Sequence, residues 1–312
     1  MACAFRTPLD GVSYVEIPVS GITSNVYVLG PPGKALLVDC GSAGVAGEVI
    51  TTLEENGYGP DGVRAIVVTH GHLDHYGGAA VLAAWSGAPV WAHVQAAAQI
   101  EDHWGDYITP GGPATNTGAA DWDRFQQGAG EAVRVARVLR EGDVIEHPGL
   151  PIEVHHTPGH QRGLITLFEP ERRLAFVGDL VQGGADCSAN WLGLIEDVAS
   201  QRRSLARVAA LEPTWLFRGH RSPRTGDDVQ TDIAAALARL NAVERALVEL
   251  LEENGPLTLA RAVRAVFKTV LDMDIDAPPN YAIVSVTAFL LDLAHRGRVR
   301  RNADLEWERL RA

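Results

Sequence analysis

THGHLDH, residues 69–75, places three histidines and an aspartate within six residues, directly after the apolar run VRAIVV (63–68). Six residues rich in Val and Ile read as a buried strand. Metal-capable side chains at its end belong to a loop edge, not to a core. His70 and His72 are two apart, a spacing that in extended chain sets both rings on one side. Asp74 and His75 follow on the same loop. A borderline-soft divalent ion takes neutral imidazole and carboxylate together, so the stretch reads as half of a metal site.

The other half lies downstream. HTPGH ends in His160, VGD in Asp179 and RGH in His220, each just past a strand-like run with a glycine beside it. Glycine lets such loops approach closely, so the strand ends can converge on one edge. The donors divide into two sites. His70, His72, His160 and Asp179 form the first; Asp74, His75, His220 and Asp179 form the second, with Asp179 shared. One carboxylate between two ions suits the roughly 3.5–4 Å separation of two-metal hydrolases. A hydroxide bridging the ions would then attack, and no serine or cysteine nucleophile is needed. Asp74 is the candidate catalytic residue, helping to position that nucleophile.

Outward from this constellation, strands and helices alternate. VSYVEIPV (12–19), NVYVLG (25–30), ALLVD (35–39) and PVWAH (89–93) read as strands. VAGEVITTLEENG (45–57) and GGAAVLAAWSG (77–87) read as helices that stop at glycine. Strands resume at 133–139, 151–156, 164–169 and 173–179, then come a helix around 197–211 and the strand TWLFRG (214–219). Residues 102–130 are irregular and carry Trp104, Tyr107, Trp122 and Phe125, which suggests a cover over the site. From about 230 the pattern is helical: DIAAALARLNAVERALVELLEENG as one helix or two, then PLTLARAVRAVF and NYAIVSVTAFLLDLAHRG, and a hairpin in RVRRNADLEWERL. This order is that of a winged helix. The expected organisation is a catalytic domain over 1–228 and a winged-helix-like helical domain over 229–312.

HGHLDH with PGH, GD and GH downstream in this order resembles the metallo-β-lactamase superfamily over roughly residues 12–225. The resemblance implies an α/β fold, an αββα sandwich with two metals at one edge of the sheets. All seven ligand positions of the dinuclear branch are filled: His70, His72, Asp74, His75, His160, Asp179 and His220. Within the superfamily the chain looks most like the glyoxalase II-like and lactamase-β-like-two groups. The latter resemblance rests on HTPGH (156–160), GDLVQGG (178–184) and the C-terminal helices. It departs from the pattern in RGHRSP (218–223), where PGHG is usual, and in the length of the 102–130 segment. No tyrosine follows the Gly-Asp element as in many acyl-homoserine lactonases. True β-lactamases lack the carboxylate at the position of Asp179.

The net charge of −12 disfavours non-specific attraction to nucleic acid. Cys3, Cys40 and Cys187 are few and odd in number, so they read as free thiols in a reducing compartment. No run of eighteen apolar residues and no secretory signal is found, and a cytoplasmic location is expected. Asp39 in VDCG either orients a ligand histidine or is a turn residue before Gly41. His93, His103, His147, His155 and His156 read as structural, as do Cys40, Cys187 and Asp186.

These readings converge on a hydrolase of a small ester, thioester or lactone with two divalent ions, zinc first, iron or manganese being compatible with the same donors. Two alternatives stand beside it: a phosphodiesterase acting on single-stranded RNA, and a metal-containing regulatory protein that binds nucleic acid. The helix at 280–297 has little positive charge before Arg296, unlike a groove-reading helix. Its apolar surplus (Ile283, Val284, Val286, Phe289, Leu290, Leu291, Leu293) predicts burial against the catalytic domain or in a homodimer.

Overall fold

The apolar runs of the first half form strands, and a computed structural model places them. It describes residues 3–19, 22–103, 128–147, 150–182 and 192–310. Trp104, Tyr107, Trp122 and Phe125, and with them most of the 102–130 segment, lie outside these residues, as do Asp186 and Cys187. By its contacts the chain forms two compact units. The first comprises Met1–His156, Arg162–Asp179 and Pro213–Thr225; the second comprises Thr157–Gln161, Leu180–Glu212 and Gly226–Ala312.

The first unit holds two sheets. One has seven strands in sequence order: β1 (Ala4–Leu9), β2 (Val12–Val19), β3 (Ile22–Leu29), β4 (Ala35–Val38), β5 (Val63–Val68), β6 (Val90–His93) and β7 (Val135–Leu139). β1 to β4 are antiparallel and β4 to β7 parallel. The other has six: β8 (Val144–His147), β9 (Leu150–His156), β10 (Ile165–Glu169), β11 (Leu174–Gly178), β12 (Trp215–Arg218) and β13 (Arg224–Thr225). Only its β11–β12 pair is parallel.

Alternation along β3 shows how the sheets stack. Tyr27 and Leu29 join Val38, Val67, Leu167, Phe176 and Phe217 in a core shared by both sheets. Val26 and Val28 point the other way, into a second core with Leu37, Ile66 and Val68. There they meet the helices α1 (Ala46–Glu55), α3 (Ala79–Ser86) and α4 (Val94–Glu101). Both faces of the sheet are therefore buried, which is why β4 and β5 read as continuous apolar runs. The Phe176 and Phe217 rings stack with centroids 4.5 Å apart, and Tyr27 meets each edge-on at 5.4 Å. Each buried aromatic contributes about 1.5–3 kcal/mol by apolar burial.

This topology positions the site. β4 and β5 leave their sheet at the same end, and β11 and β12 leave theirs together, because each pair is parallel. The residues that follow them are Asp39, Thr69–His70, Asp179 and Gly219–His220. A bridge between Ser24 and His220, and the bond from the Asn25 N–H to the Gly219 carbonyl (2.9 Å), join the sheets at that edge. Between β5 and α3, the four-residue helix α2 (Leu73–Tyr76) carries Asp74 and His75.

The second unit is mainly helical. α5 (Val198–Ala210) starts at Asp197, whose carboxylate accepts from the Ser200 N–H at 2.8 Å. α6 (Asp227–Asn254) is one continuous helix of 28 residues. Its buried residues Val229, Ile233, Ala236, Leu240, Val243, Leu247 and Leu251 recur every three or four positions, one stripe along roughly 42 Å. α7 (Leu259–Leu271) ends at Asp272 in the left-handed region (φ 51°). α8 (Asn280–His295) follows Pro279, and β14 (Val299–Arg301) pairs with β15 (Trp307–Arg309). On α8, Val286, Phe289, Leu290 and Leu293 are buried, whereas Leu291 is 56% exposed. The 157–161 and 180–212 stretches, placed within 1–228 by sequence pattern, make their contacts with this unit. No helix among the described residues is long and apolar enough to cross a membrane.

Candidate metal centre

Six of the seven residues singled out by sequence lie in the first unit. His70 and His75 are fully buried, Asp179 is nearly so, and the side chains of His220 and Asp74 keep 20% and 36% exposure. His70 Nε2 and His72 Nδ1 lie 3.0 Å apart. His75 Nε2 faces Asp179 Oδ1 at 3.5 Å and Asp74 Oδ2 at 3.7 Å. His220 Nε2 lies 3.2 Å from Asp179 Oδ2 and 3.2 Å from Asp74 Oδ2. The Asp179 carboxylate thus presents one oxygen to each of two histidines that are 145 positions apart in the chain (220 − 75).

The far side of each ring is held. His75 Nδ1 donates to Asp39 Oδ2 at 2.8 Å. His220 Nδ1 donates to the Thr23 carbonyl at 3.0 Å. Within the second unit, His160 Nδ1 donates to the Leu194 carbonyl at 2.8 Å. In each case the acceptor holds the Nδ1 proton, so that the proton an incoming cation would displace is the one on Nε2. Asp39 itself is buried and left-handed (φ 65°), a conformation that costs about 1–3 kcal/mol outside glycine. Its carboxylate accepts from the Thr69 N–H (2.7 Å), the Thr69 hydroxyl (2.9 Å) and His75, and these bonds offset the strain. Of its two sequence readings, Asp39 takes the first, since it orients His75.

The donors fit a cation. His75 Nε2 is buried and makes no hydrogen bond, although two carboxylates face it. A buried polar atom left in this state is costly unless something positive sits before it. The space is kept clear by Gly219, where a Cβ would stand 2.3 Å from Asp179 Oδ1 and 2.5 Å from His75 Cε1. Within the first unit, two groups of donor atoms lie close enough to share an ion: His70, His75 and Asp179; and Asp74, His75 and His220.

Charge coupling is strong. Burial alone would lower the His75 pKa, but Asp74, Asp179 and Asp39 outweigh it and push it up to about 9. Burial opposes the charge of His220 too, and Asp179 with Asp74 carries it to about 11. Burial would raise Asp74, yet His75 and His220 hold its carboxyl well below the usual range. These are the fields that would favour a divalent ion in place of the protons.

Sequence reading missed the groups that mount the ligands. Thr69 is visible only as the residue before His70; the Thr23 and Leu194 carbonyls carry no side-chain signal at all. The other histidines have structural partners. His93 accepts from the Gln95 N–H at the start of α4 and stacks on His156 at 4.1 Å, and His155 sits 3.1 Å from Glu153. His147 and His103 are packed at strand and helix ends, with pKa values lowered chiefly by burial. Cys40 is fully buried, and burial pushes its thiol well up, so it packs and does not react.

Comparison with known proteins agrees with this geometry. The Probable metallo-hydrolase YflN of Bacillus subtilis is 26% identical over 246 residues, 72% of this chain and 92% of its own length. Hydroxyacylglutathione hydrolase GloC of Haemophilus influenzae is 29% identical over 170 residues (54% and 72%). Human Acyl-coenzyme A thioesterase MBLAC2 is 33% identical over 121 residues (38% and 42%). The metallo-beta-lactamase family protein TTHA1429 of Thermus thermophilus shares the fold, with a TM-score of 0.77, 24% identity and coverage of 97% of this chain and 100% of that one. The family model for the metallo-beta-lactamase superfamily matches residues 19–220, and with the αββα sandwich and the histidine–aspartate edge in place, this chain belongs to that superfamily.

Proposed function

We propose that the chain is a dinuclear metal-dependent hydrolase whose substrate is a small thioester, with simple esters and lactones as the neighbouring classes. The carrying observation is the Asp179 carboxylate, set between His75 Nε2 and His220 Nε2 with Asp74 against both rings. By the order of the ligand motifs in the sequence, one ion would be held by His70, His72 and His160, the other by Asp74, His75 and His220, with Asp179 shared. Zinc suits these donors, and iron or manganese can replace it. When bound, the pair supplies Lewis acidity and brings the pKa of a coordinated water towards neutrality.

The chain's own residues do the rest. Asp39, Thr23 and Leu194 hold three rings with Nε2 forward. Asp74, kept ionised by its two histidines and partly open to solvent, accepts a hydrogen bond from the attacking water and orients it. The thioester class is favoured because two relatives are named for acylglutathione and acyl-coenzyme A hydrolysis. Against RNA as substrate stands the pairing of three of the four arginines in the basic cluster of the C-terminal module with glutamates of the same module. Arg296 pairs with Glu244 (3.0 Å), Arg298 with Glu244 (3.3 Å) and Arg300 with Glu308 (2.6 Å). Phosphate binding needs such cations uncommitted. The three helices and ribbon are accordingly proposed as a winged-helix-like packing module.

The test is a turnover panel on protein of measured metal content: acyl-coenzyme A, acylglutathione, aryl ester, γ-lactone and single-stranded RNA. Thioesters should be hydrolysed at least about tenfold faster in kcat/KM than the other classes, and turnover should vanish on chelation. RNA cleavage without thioester hydrolysis would overturn the reading.

A further inference from the structure

Thr157–Gln161 follow β9 yet make their contacts with the helical unit. The reason lies in the bonds that hold the loop. The Gly159 carbonyl accepts from the Glu196 N–H (2.8 Å) and the Asp197 N–H (3.0 Å). The Pro158 carbonyl accepts from the Ser204 hydroxyl of α5 (2.7 Å). Gly159 lies so close to Gln201 that a Cβ would stand 2.6 Å from its backbone nitrogen. His160, at the end of this loop, gives its Nδ1 proton to the Leu194 carbonyl.

Leu194 is the middle of a short strap, and both of its neighbours are tied to one atom. The Ile195 N–H donates to Ser285 Oγ at 3.0 Å, and Ser285 Oγ lies 2.9 Å from the Gly193 carbonyl. The same hydroxyl lies 2.8 Å from the Tyr281 carbonyl one turn back on α8, so its single proton is shared between two acceptors. Ser285 is fully buried on α8, between Val284 and Val286. Gln182 completes the clasp, its Oε1 accepting from the Leu194 N–H at 3.0 Å. Gly193 has φ 79°, and a Cβ there would be 2.5 Å from Gln182 Oε1, so the strap accepts no side chain at this point.

A buried serine that bonds only to its own helix would be a satisfied core residue and nothing more. Ser285 differs because it receives the Ile195 N–H and so sets which way the Leu194 carbonyl faces. We infer that Ser285 of the C-terminal helix is a positioning residue for the metal ligand His160, acting through the 193–195 backbone. The inference rests on the proposed role of His160 as a ligand.

The experiment is competitive titration with a chromophoric chelator, resolving two zinc equivalents, on the full-length protein and the variants Ser285→Ala, Ser285→Thr, Leu290→Ala and His160→Ala. Outer partners of metal-bound histidines are typically worth 10–100-fold in metal affinity. Ser285→Ala should weaken one equivalent by about that factor and leave the other unchanged, and Ser285→Thr should restore much of it. Leu290 is equally buried on the same helix and its side chain offers no hydrogen bond to the strap, so Leu290→Ala should lower the melting temperature and keep both equivalents. Should Ser285→Ala not fold, Gln182→Met cuts the strap from the other side and must show the same selective loss. Wild-type affinities in Ser285→Ala, or equal loss in Leu290→Ala, would overturn the inference while leaving the dinuclear reading intact. Undiminished binding of both ions by His160→Ala would instead remove the premise.

Discussion

Gly219→Ala should disable the site without removing a single donor. The Gly219 backbone is pinned on both sides, its N–H to the Gly178 carbonyl at 2.8 Å and its carbonyl to the Asn25 N–H at 2.9 Å. The added Cβ would start 2.3 Å from Asp179 Oδ1 and 2.5 Å from His75 Cε1. Ordinary contact begins near 3.4 Å, so the two ligands must retreat by about 1.1 Å and 0.9 Å. Metal–ligand distances tolerate roughly ±0.2 Å, and a misplacement of about 1 Å at a reacting centre costs on the order of a hundredfold in rate. Overpacking should cost only about 1–3 kcal/mol of stability, leaving the fold intact. The assays are metal content after dialysis, kcat/KM on the best thioester, and melting temperature. A Gly219→Ala protein that retains two equivalents and turns over within twofold of wild type would refute the reasoning, because the space before Asp179 would then not be where an ion sits.

Asp179→Ala and His72→Ala should abolish turnover with the fold largely retained, since neither side chain lies in the two apolar cores; native activity with native metal content in either would refute this. Asp74→Ala should take bound metal from two equivalents to one, and elemental analysis showing two would sink its assignment as a ligand. In the metal-free protein the carboxylates of Asp74 and Asp179 push His75 up to about 9 and His220 up to about 11, above the ordinary imidazole value of about 6.5. Their stabilisation is therefore complete below about pH 6.5 and is lost as pH rises through 9 and then 11, so the metal-free melting temperature should fall across that window. Loading metal at pH 7 should release about two protons, one from each ring, measurable by calorimetry in buffers of different ionisation enthalpy. Release near zero would show that these histidines are neutral before metal arrives.

The donors were legible because each is a polar residue at the end of an apolar run, and HGHLDH concentrates four of them in one turn. Strands with both faces buried, such as β5, were legible for the same reason. Less visible was whatever relies on backbone or on tertiary context. The carbonyls of Thr23 and Leu194 have no residue signature. Edge strands β1 and β8 are short and polar on one side, with patterns too brief to count as periodic. α4 is built on alanine and glutamine, which leave little apolar contrast, so its stripe of Ala96, Ala97 and Ile100 escaped notice. Ser285 sits among apolar residues, where a lone serine reads as neutral. The attachment of 157–161 to the helical unit follows from such bonds, and a boundary drawn from composition at 228 passes it by.

The shared Asp179 carboxylate also has a consequence in time. His70, His72, Asp74 and His75 leave the ribosome together, whereas Asp179 comes 104 positions later and His220 145 positions later (179 − 75 and 220 − 75). At about 5–20 residues per second, the early four donors wait roughly 7–30 seconds for His220. During that interval the nascent chain offers imidazoles without the carboxylate that faces both His75 and His220, and the Thr23 carbonyl still lacks its partner His220. On the proposed dinuclear reading, lasting capture of a metal pair would be a late event of biosynthesis, falling after the second sheet has closed on the first. On the same reading, a chain stalled before residue 179 would exchange an ion freely with the surroundings, and the finished protein would not.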